Sequence, residues 1–216
     1  YNGTVLWSQS CPEMRRANIP RDSSNMVADD RGLYLAQGRY CINFVGSTGQ
    51  RSNVYSVPDA DTGHYNWSFL AVVKQTLVGS RVSRGTVYLG DDGEWYENFK
   101  PNDISRVTSD RLFGVDTKSG DIRWEYNGGA IINSTITIGK DDVIYFIESA
   151  AAVAIEKAGT IQNISQLTNQ RLVALDLKSG ERKWERDHDF SKLQYMTYLV
   201  YSNDKLIATG TDKDKN

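Results

Sequence analysis

Histidine is nearly missing from this chain: His64 and His188 are the only two among 216 residues. A histidine-rich metal centre is therefore excluded. Cysteine is as scarce, with only Cys11 and Cys41, 30 positions apart. That spacing excludes CxxC metal or redox motifs and a CxxCH haem site. Two readings stay open for the pair: buried, idle thiols, or a single disulfide formed in an oxidising compartment. Excess charge of one sign is also missing, since 25 basic residues face 27 acidic ones and the net charge is −2. Nucleic-acid binding needs a concentrated basic face, and so does an anionic-membrane patch; neither is expected here. No apolar run approaches the roughly 18–20 residues of a transmembrane helix. The chain opens on Tyr1 with no initiator methionine and no signal peptide, and the repeat described below places that start inside a structural unit.

What is present points to strands. Hydrophobic residues make up 39% and charged residues 24%, a globular balance, and 12 Tyr and 5 Trp accompany only 4 Pro. The chain also repeats itself. Residues 111–125 read RLFGVDTKSGDIRWE and residues 171–185 read RLVALDLKSGERKWE, an offset of 60. A partial copy opens the chain, where Gly3 and Trp7 repeat the Gly-x-x-x-Trp spacing of Gly120–Trp124 and Gly180–Trp184. A degraded copy at 41–50, CINFVGSTGQ, keeps the apolar strand and Gly49 but has Asn53 where Trp would fall.

The unit has a physical logic. An apolar strand (Leu112, Val115; Leu172, Ala174) runs into Asp-x-Lys-Ser-Gly. The Asp116 or Asp176 carboxylate and the following serine bond local amides, while Gly120 or Gly180 supplies positive φ. The result is a tight hairpin turn, and the next strand carries Trp124 or Trp184 at a fixed distance from it. An indole recurring at that register is expected to wedge between neighbouring sheets, burying about 200 Å² each time. A second strand–turn–strand element recurs upstream, at 25–35, 136–146 and 198–208, with a looser copy at 69–78. Two hairpins per period make four antiparallel strands, which is a propeller blade.

These residues resemble the PQQ-like propeller repeat of the quinoprotein type, an apolar strand followed by Asp-x-x-(Thr/Ser)-Gly-x-x-x-Trp. VDTKSGDIRW at 115–124 and LDLKSGERKW at 175–184 carry the resemblance. It implies an all-β fold, a β-propeller of four-stranded antiparallel blades, here partial. The blades are expected at 24–57, 67–127 and 132–187, the inner strands of the last two near 69–73 and 133–138, with residues 1–10 ending one blade in a fourth strand and 197–216 beginning another. Such propellers close with about seven or eight blades, so the remaining ones are expected from a longer parent chain or from another chain.

The same repeat serves PQQ-dependent dehydrogenases and cofactor-free scaffolds similar to the BamB-like propellers, so function has to come from the site. Two insertions interrupt the repeat between the second and third strands of a blade, at 83–109 and 149–169. They are expected on one face, the natural place for a protein or small-molecule ligand. The first holds Asp91, Asp92, Glu94, Trp95 and Tyr96; carboxylates beside aromatics suit a cation or a sugar, and a solvated acidic loop is the simpler reading. The second holds an apolar run at 150–158 that reads as a short helix ending at Gly159. His188 follows a fourth strand and is expected on the same face, either in a polar turn or at a site. Asp59, Asp61 and Gly63 resemble the start of a calcium loop, but without its later glutamate they read as a turn between blades. Four Asn-x-Ser/Thr sequons, at Asn2, Asn66, Asn133 and Asn163, carry little weight in so polar a chain.

By resemblance, the dehydrogenases stack PQQ between a Trp and, in many members, a disulfide of adjacent cysteines, and use a Ca²⁺ held by Glu, Asn and Asp. Adjacent cysteines do not occur here, and the sequence shows no clustered site that carries that ligand set. No cofactor is detected in the sequence. The expectation is a non-catalytic scaffold or binding module outside the cytoplasm. The alternative is a quinoprotein dehydrogenase with its PQQ and Ca²⁺ site in other blades. A third reading, an accessory propeller fused to a catalytic domain, stays open.

Overall fold

The structure is a computed structural model that describes residues 3–10, 25–86, 105–193 and 197–210. The acidic and aromatic candidates Asp91, Asp92, Glu94, Trp95 and Tyr96 lie outside the described residues, as does Cys11. The first blade consists of β1 (Met26–Asp29), β2 (Gly32–Gln37), β3 (Tyr40–Val45) and β4 (Arg51–Ser56), antiparallel and in that order. The second contains β5 (Tyr65–Val73) and β6 (Thr76–Ser83). After β7 (Ser105–Ser109), which lies elsewhere, it is completed by β8 (Arg111–Asp116) and β9 (Ile122–Tyr126).

In the third blade the inner strand is split into β10 (Ala130–Ile132) and β11 (Thr137–Gly139). Both pair with β12 (Val143–Ser149). The helix α1 (Ala152–Glu156) and β13 (Ile161–Asn163) then precede the outer strands β14 (Gln170–Asp176) and β15 (Arg182–Asp187). A two-stranded sheet, β16 (Tyr198–Ser202) and β17 (Lys205–Thr209), follows. The described residues form a partial β-propeller.

Two strand limits differ from the sequence reading. The inner strand of the third blade is not one segment from 133 to 138, because a 3-10 turn at Asn133–Thr135 interrupts it. There the Thr135 hydroxyl donates to the Ile132 carbonyl (2.7 Å) and accepts from the Ile147 amide (2.9 Å), so a side chain replaces a ladder bond. Strand β5 begins at Tyr65 rather than 69, its ladder continuing across a bulge between Trp67 and Leu70.

The three outer hairpins share one turn. Amides of Val45, Asp116 and Asp176 donate to the carbonyls of Gln50, Asp121 and Glu181 at 2.8–2.9 Å. Those of Gly49, Gly120 and Gly180 donate back to Val45, Asp116 and Asp176 at 2.8–2.9 Å, each glycine having φ between +67° and +81°. In the two full copies the aspartate caps the turn. Asp116 accepts from the Lys118 and Ser119 amides (2.7 and 3.1 Å), and Asp176 from those of Lys178 and Ser179 (2.9 and 3.0 Å). A bulge sits at the same register in all three, at Asn43/Phe44, Gly114/Val115 and Ala174/Leu175.

Each turn receives a side chain from the chain that precedes its blade; residues 3–10, expected to hold a fourth strand, form no strand. The Trp124 indole nitrogen donates to the Leu177 carbonyl (2.8 Å), and a Cβ built on Gly180 would stand 2.6 Å from its ring. Trp7 repeats this one boundary earlier, donating to the Gly46 carbonyl (2.7 Å) and covering Gly49. Gly46, Thr117 and Leu177 occupy the same turn position. At the boundary where Asn53 stands in for Trp, the Tyr55 hydroxyl donates to the Thr117 carbonyl (2.8 Å), and nothing lies within 4 Å of a Cβ built on Gly120. Arg31 reinforces that boundary, pairing with Asp29 and reaching the Thr117 hydroxyl (2.7 Å). Trp184 is half-buried against Tyr145, ring centroids 5.9 Å apart, and Tyr145 in turn stacks on Tyr201 at 5.7 Å.

Between these turns lie the cores. Trp67 packs edge-on against Phe113 (4.8 Å) between the first and second blades, with Cys41 and Tyr55. Cys41 is a free, fully buried thiol, and burial pushes its pKa up. Trp124, Phe146 and Val173 belong to the next core, between the second and third blades.

Trp124 is 6% exposed, so Trp124→Ala is expected to cost about 3–5 kcal/mol in urea unfolding, and a loss under about 1 kcal/mol would contradict the packing. The Asp116 carboxyl is pulled down to about 2, first by the Lys118 amide and then by Arg123. A lowered carboxylate adds stability above its unfolded pKa and loses it as pH falls through the folded one. The fall in thermal midpoint between about pH 4 and 2 should therefore be smaller in Asp116→Asn than in the unmodified protein. Equal slopes would contradict the assignment.

Candidate functional site

The two insertions are built into one platform. Strand β7 comes from the first insertion and β13 from the second, and they pair antiparallel with Val107 opposite Ile161 and Arg106 opposite Gln162. On its other edge β7 pairs with β10, Ile132 opposite Thr108. The first insertion therefore ends in a strand, and the second adds a strand to its short helix. Residues 161–163 find their ladder in 105–109, across more than 50 positions, and 105–109 bridge them to β10.

Side chains lock the platform. The Gln162 amide donates to the Thr108 hydroxyl (2.7 Å) and to the Ala154 carbonyl in α1 (3.0 Å). Gly159, at φ +84°, closes the segment after α1, and its carbonyl accepts from the Ser83 amide (2.6 Å). Val82, Val107 and Ile161 form a small apolar cluster beneath. Deeper, Asn133 donates to Ser68 (2.5 Å) and accepts from Ser109 (2.6 Å), a buried polar knot tying the platform to two blades. Asn133 is 1% exposed, so its sequon is unavailable for glycosylation.

Among the described residues, two grooves stand out at this end of the blades. One, of about 630 Å³, lies between the second insertion and the chain leaving the third blade. Thr168, Asn169 and Gln170 line one side and Asp187, His188 and Asp189 the other. The His188 amide donates to the Gln170 carbonyl (3.1 Å), and its ring meets Phe190 edge-on at 4.5 Å. The Ser191 hydroxyl and amide hold the Asp189 carboxyl below the usual range. The structure thus brings His188 and the second insertion to one groove. The other groove, of about 380 Å³, lies between the first and second blades and contains Arg39, Tyr40, Tyr65 and Arg84. Nothing in the sequence singled these four out, because they stand at strand ends and links outside the repeated turn motif, and the groove joins positions 39–40 to 65 and 84.

The most buried carboxylate among the described residues stands aside from both grooves. Glu148 is 0% exposed and accepts from the Tyr126 hydroxyl (2.9 Å) and Arg171 (2.8 Å). Loss of water pushes its carboxyl up against the pull of these donors. Its strand partner is Arg171, and together they join adjacent strands.

Among the described residues, no three His, Cys, Asp or Glu side chains are grouped to hold a metal ion. The segment that resembles a calcium loop is a 3-10 turn at Ala60–Thr62, and Asp59 pairs with Arg81 and Arg111. The repeat residues Asp116, Gly120, Asp176 and Gly180, with the three tryptophans, belong to the turns and blade boundaries.

Removing the lock should loosen the platform alone. In Gln162→Ala, amides of 105–109 and 161–163 should exchange with deuterium about tenfold faster or more, with those of the first blade unchanged, as loss of a buried hydrogen bond implies. Unchanged protection would show that β7 and β13 do not depend on this side chain.

Comparison with known proteins agrees with this architecture. The family described as outer membrane protein assembly factor BamB matches residues 1–187. No curated protein sequence matches. Among solved structures, the quinohemoprotein alcohol dehydrogenase from Comamonas testosteroni superposes with a TM-score of 0.54 at 13% identity, over 95% of this chain and 35% of that one. A europium-containing methanol dehydrogenase superposes with a TM-score of 0.52 at 10% identity, over 95% of this chain and 41% of that one. The chain thus spans well under half the length of these proteins, and at such identity the likeness is one of fold. On its repeats and on a match covering most of its length, the chain belongs to the PQQ-like β-propeller family of the outer membrane protein assembly factor BamB.

Proposed function

We propose that this chain is a non-catalytic propeller segment, a binding or scaffold module of a longer protein that works outside the cytoplasm. The observation that carries the reading is the platform. Two insertions from different blades are joined by β7 and β13 into one surface, and a groove of about 630 Å³ with His188 on its wall lies beside the second of them. Insertions concentrated on one face of a rigid repeat scaffold are the usual way to build a docking surface. The family description, an outer membrane assembly factor, supports both a protein partner and an extracytoplasmic place. The alternative is a quinoprotein dehydrogenase whose site lies in other blades, a reading that the shared fold with two dehydrogenases keeps in play.

Two measurements separate these readings. Titration of the full-length protein with PQQ and Ca²⁺ should leave quinone absorbance and thermal midpoint unchanged; saturable binding with a raised midpoint would favour the dehydrogenase. Photo-crosslinkers at positions 165 and 188 should trap a discrete protein adduct in the producing cell, and one at exposed Val54 on the outer strand β4 should not. Equal labelling from all three positions would contradict a docking face.

A further inference from the structure

The link from the second blade to the third reads Asn127-Gly128-Gly129, between β9 and β10. Both glycines are required for room. A side chain on Gly128 would collide with the Tyr126 hydroxyl, and a Cβ built on Gly129 would stand 2.9 Å from the Glu148 carboxyl carbon. Tyr126 and Glu148 form the pair that spans this boundary. Arg171 completes it and also donates to the Gly128 carbonyl (3.0 Å). The packing of this knot thus demands glycine directly after Asn127. Asn127 itself is exposed, as is Gly128. Among the described residues, no hydrogen bond holds the Asn127 side chain or the Gly128 amide. Asn133, six positions on, is the opposite case: 1% exposed, followed by serine, and bonded to Ser68 and Ser109.

We propose that Asn127 is a site of spontaneous deamidation whose isoaspartate product loosens the boundary between the second and third blades. The reaction requires the deprotonated Gly128 amide nitrogen to reach Cγ of Asn127. With no Cβ on Gly128 and no bond holding either group, that approach is open. The new N–Cγ bond closes a succinimide ring, and the side-chain nitrogen leaves as ammonia. Water from the solvent then opens the ring. Attack at Cγ gives aspartate. Attack at the backbone carbonyl carbon of residue 127 breaks its bond to the Gly128 nitrogen and gives isoaspartate, in which the chain runs through Cβ and Cγ. Isoaspartate therefore inserts a backbone carbon directly before Gly128. The Gly128 carbonyl is then displaced from the Arg171 donor that fixes it, beside a carboxylate that is wholly buried. Neither step depends on a partner or a ligand.

The test is to age the full-length protein for several weeks in mildly alkaline buffer and digest it with trypsin. Cleavage after Arg123 and Lys140 releases residues 124–140, which carry Asn127 and Asn133 in one peptide. Isoaspartate is located by electron-transfer fragmentation and by an isoaspartate-specific methyltransferase. It should form at 127 about tenfold or more faster than at 133, whose side chain must first leave the core. In the isoaspartate form, amides of 130–132 and 147–149 should exchange with deuterium about threefold or more faster, with those of the first blade unchanged. Asn127→Asp brings the charge without the extra backbone carbon and should exchange as the fresh protein does. Aged Asn127→Gln should gain no isoaspartate in this link. Three results would each overturn the proposal: isoaspartate no more abundant at 127 than at 133, an isoaspartate form that exchanges like the fresh protein, or Asn127→Asp loosening the boundary as much.

Discussion

The structure depends on one contact repeated across blade boundaries: an indole from one blade laid on the glycine of the next blade's outer turn, its N–H bonded to a turn carbonyl. Trp7 on Gly49 and Trp124 on Gly180 are the two examples. Each joins the local and the long-range. The turn forms because an aspartate or its substitute satisfies nearby amides and a glycine accepts positive φ. The glycine's bare surface then admits an aromatic ring that any side chain would exclude. The sheet gains a cover for a flat apolar face, and the indole keeps its hydrogen bond while buried.

That contact sets the spacing of the blades and leaves their ends free. A blade fixed at its outer turn and its core tolerates insertions between its second and third strands. The two insertions have gone further and paired with one another, so the platform adds a second tie between the second and third blades, by hydrogen-bonded ladder rather than by aromatic packing. The boundary without an indole is held differently. There Tyr55, Asn53 and Arg31 replace one large apolar contact with several polar ones to Thr117. It is next to this same boundary that the arginine-bearing groove opens.

The fold was legible in the sequence for a specific reason. Asp116, Gly120 and Trp124, and their copies 60 positions on, fall within a short stretch, so spacing alone reports their geometry. Even the missing indole at Asn53 could be read from the pattern. What remained hidden was non-local. No periodicity announces that 105–109 will meet 161–163, because neither segment repeats and each is too short to show alternation. Strand β11 starts later than the pattern suggests because a buried threonine hydroxyl, rather than a backbone group, satisfies the amide of Ile147. His188 could be placed near the insertions from its position after a fourth strand. Arg39 and Arg84 could not, since a groove between blades brings together residues that the chain keeps apart.

The most direct test of the central claim is a double-mutant cycle between Trp124 and Gly180, read by urea unfolding. Gly180→Ala alone loses both the strain-free turn and the indole contact, whereas in a Trp124→Ala background only the cost of positive φ remains. The account predicts a coupling of about 1–3 kcal/mol between the two positions. Additive effects, within about 0.5 kcal/mol, would show that the indole does not depend on the bare glycine beneath it.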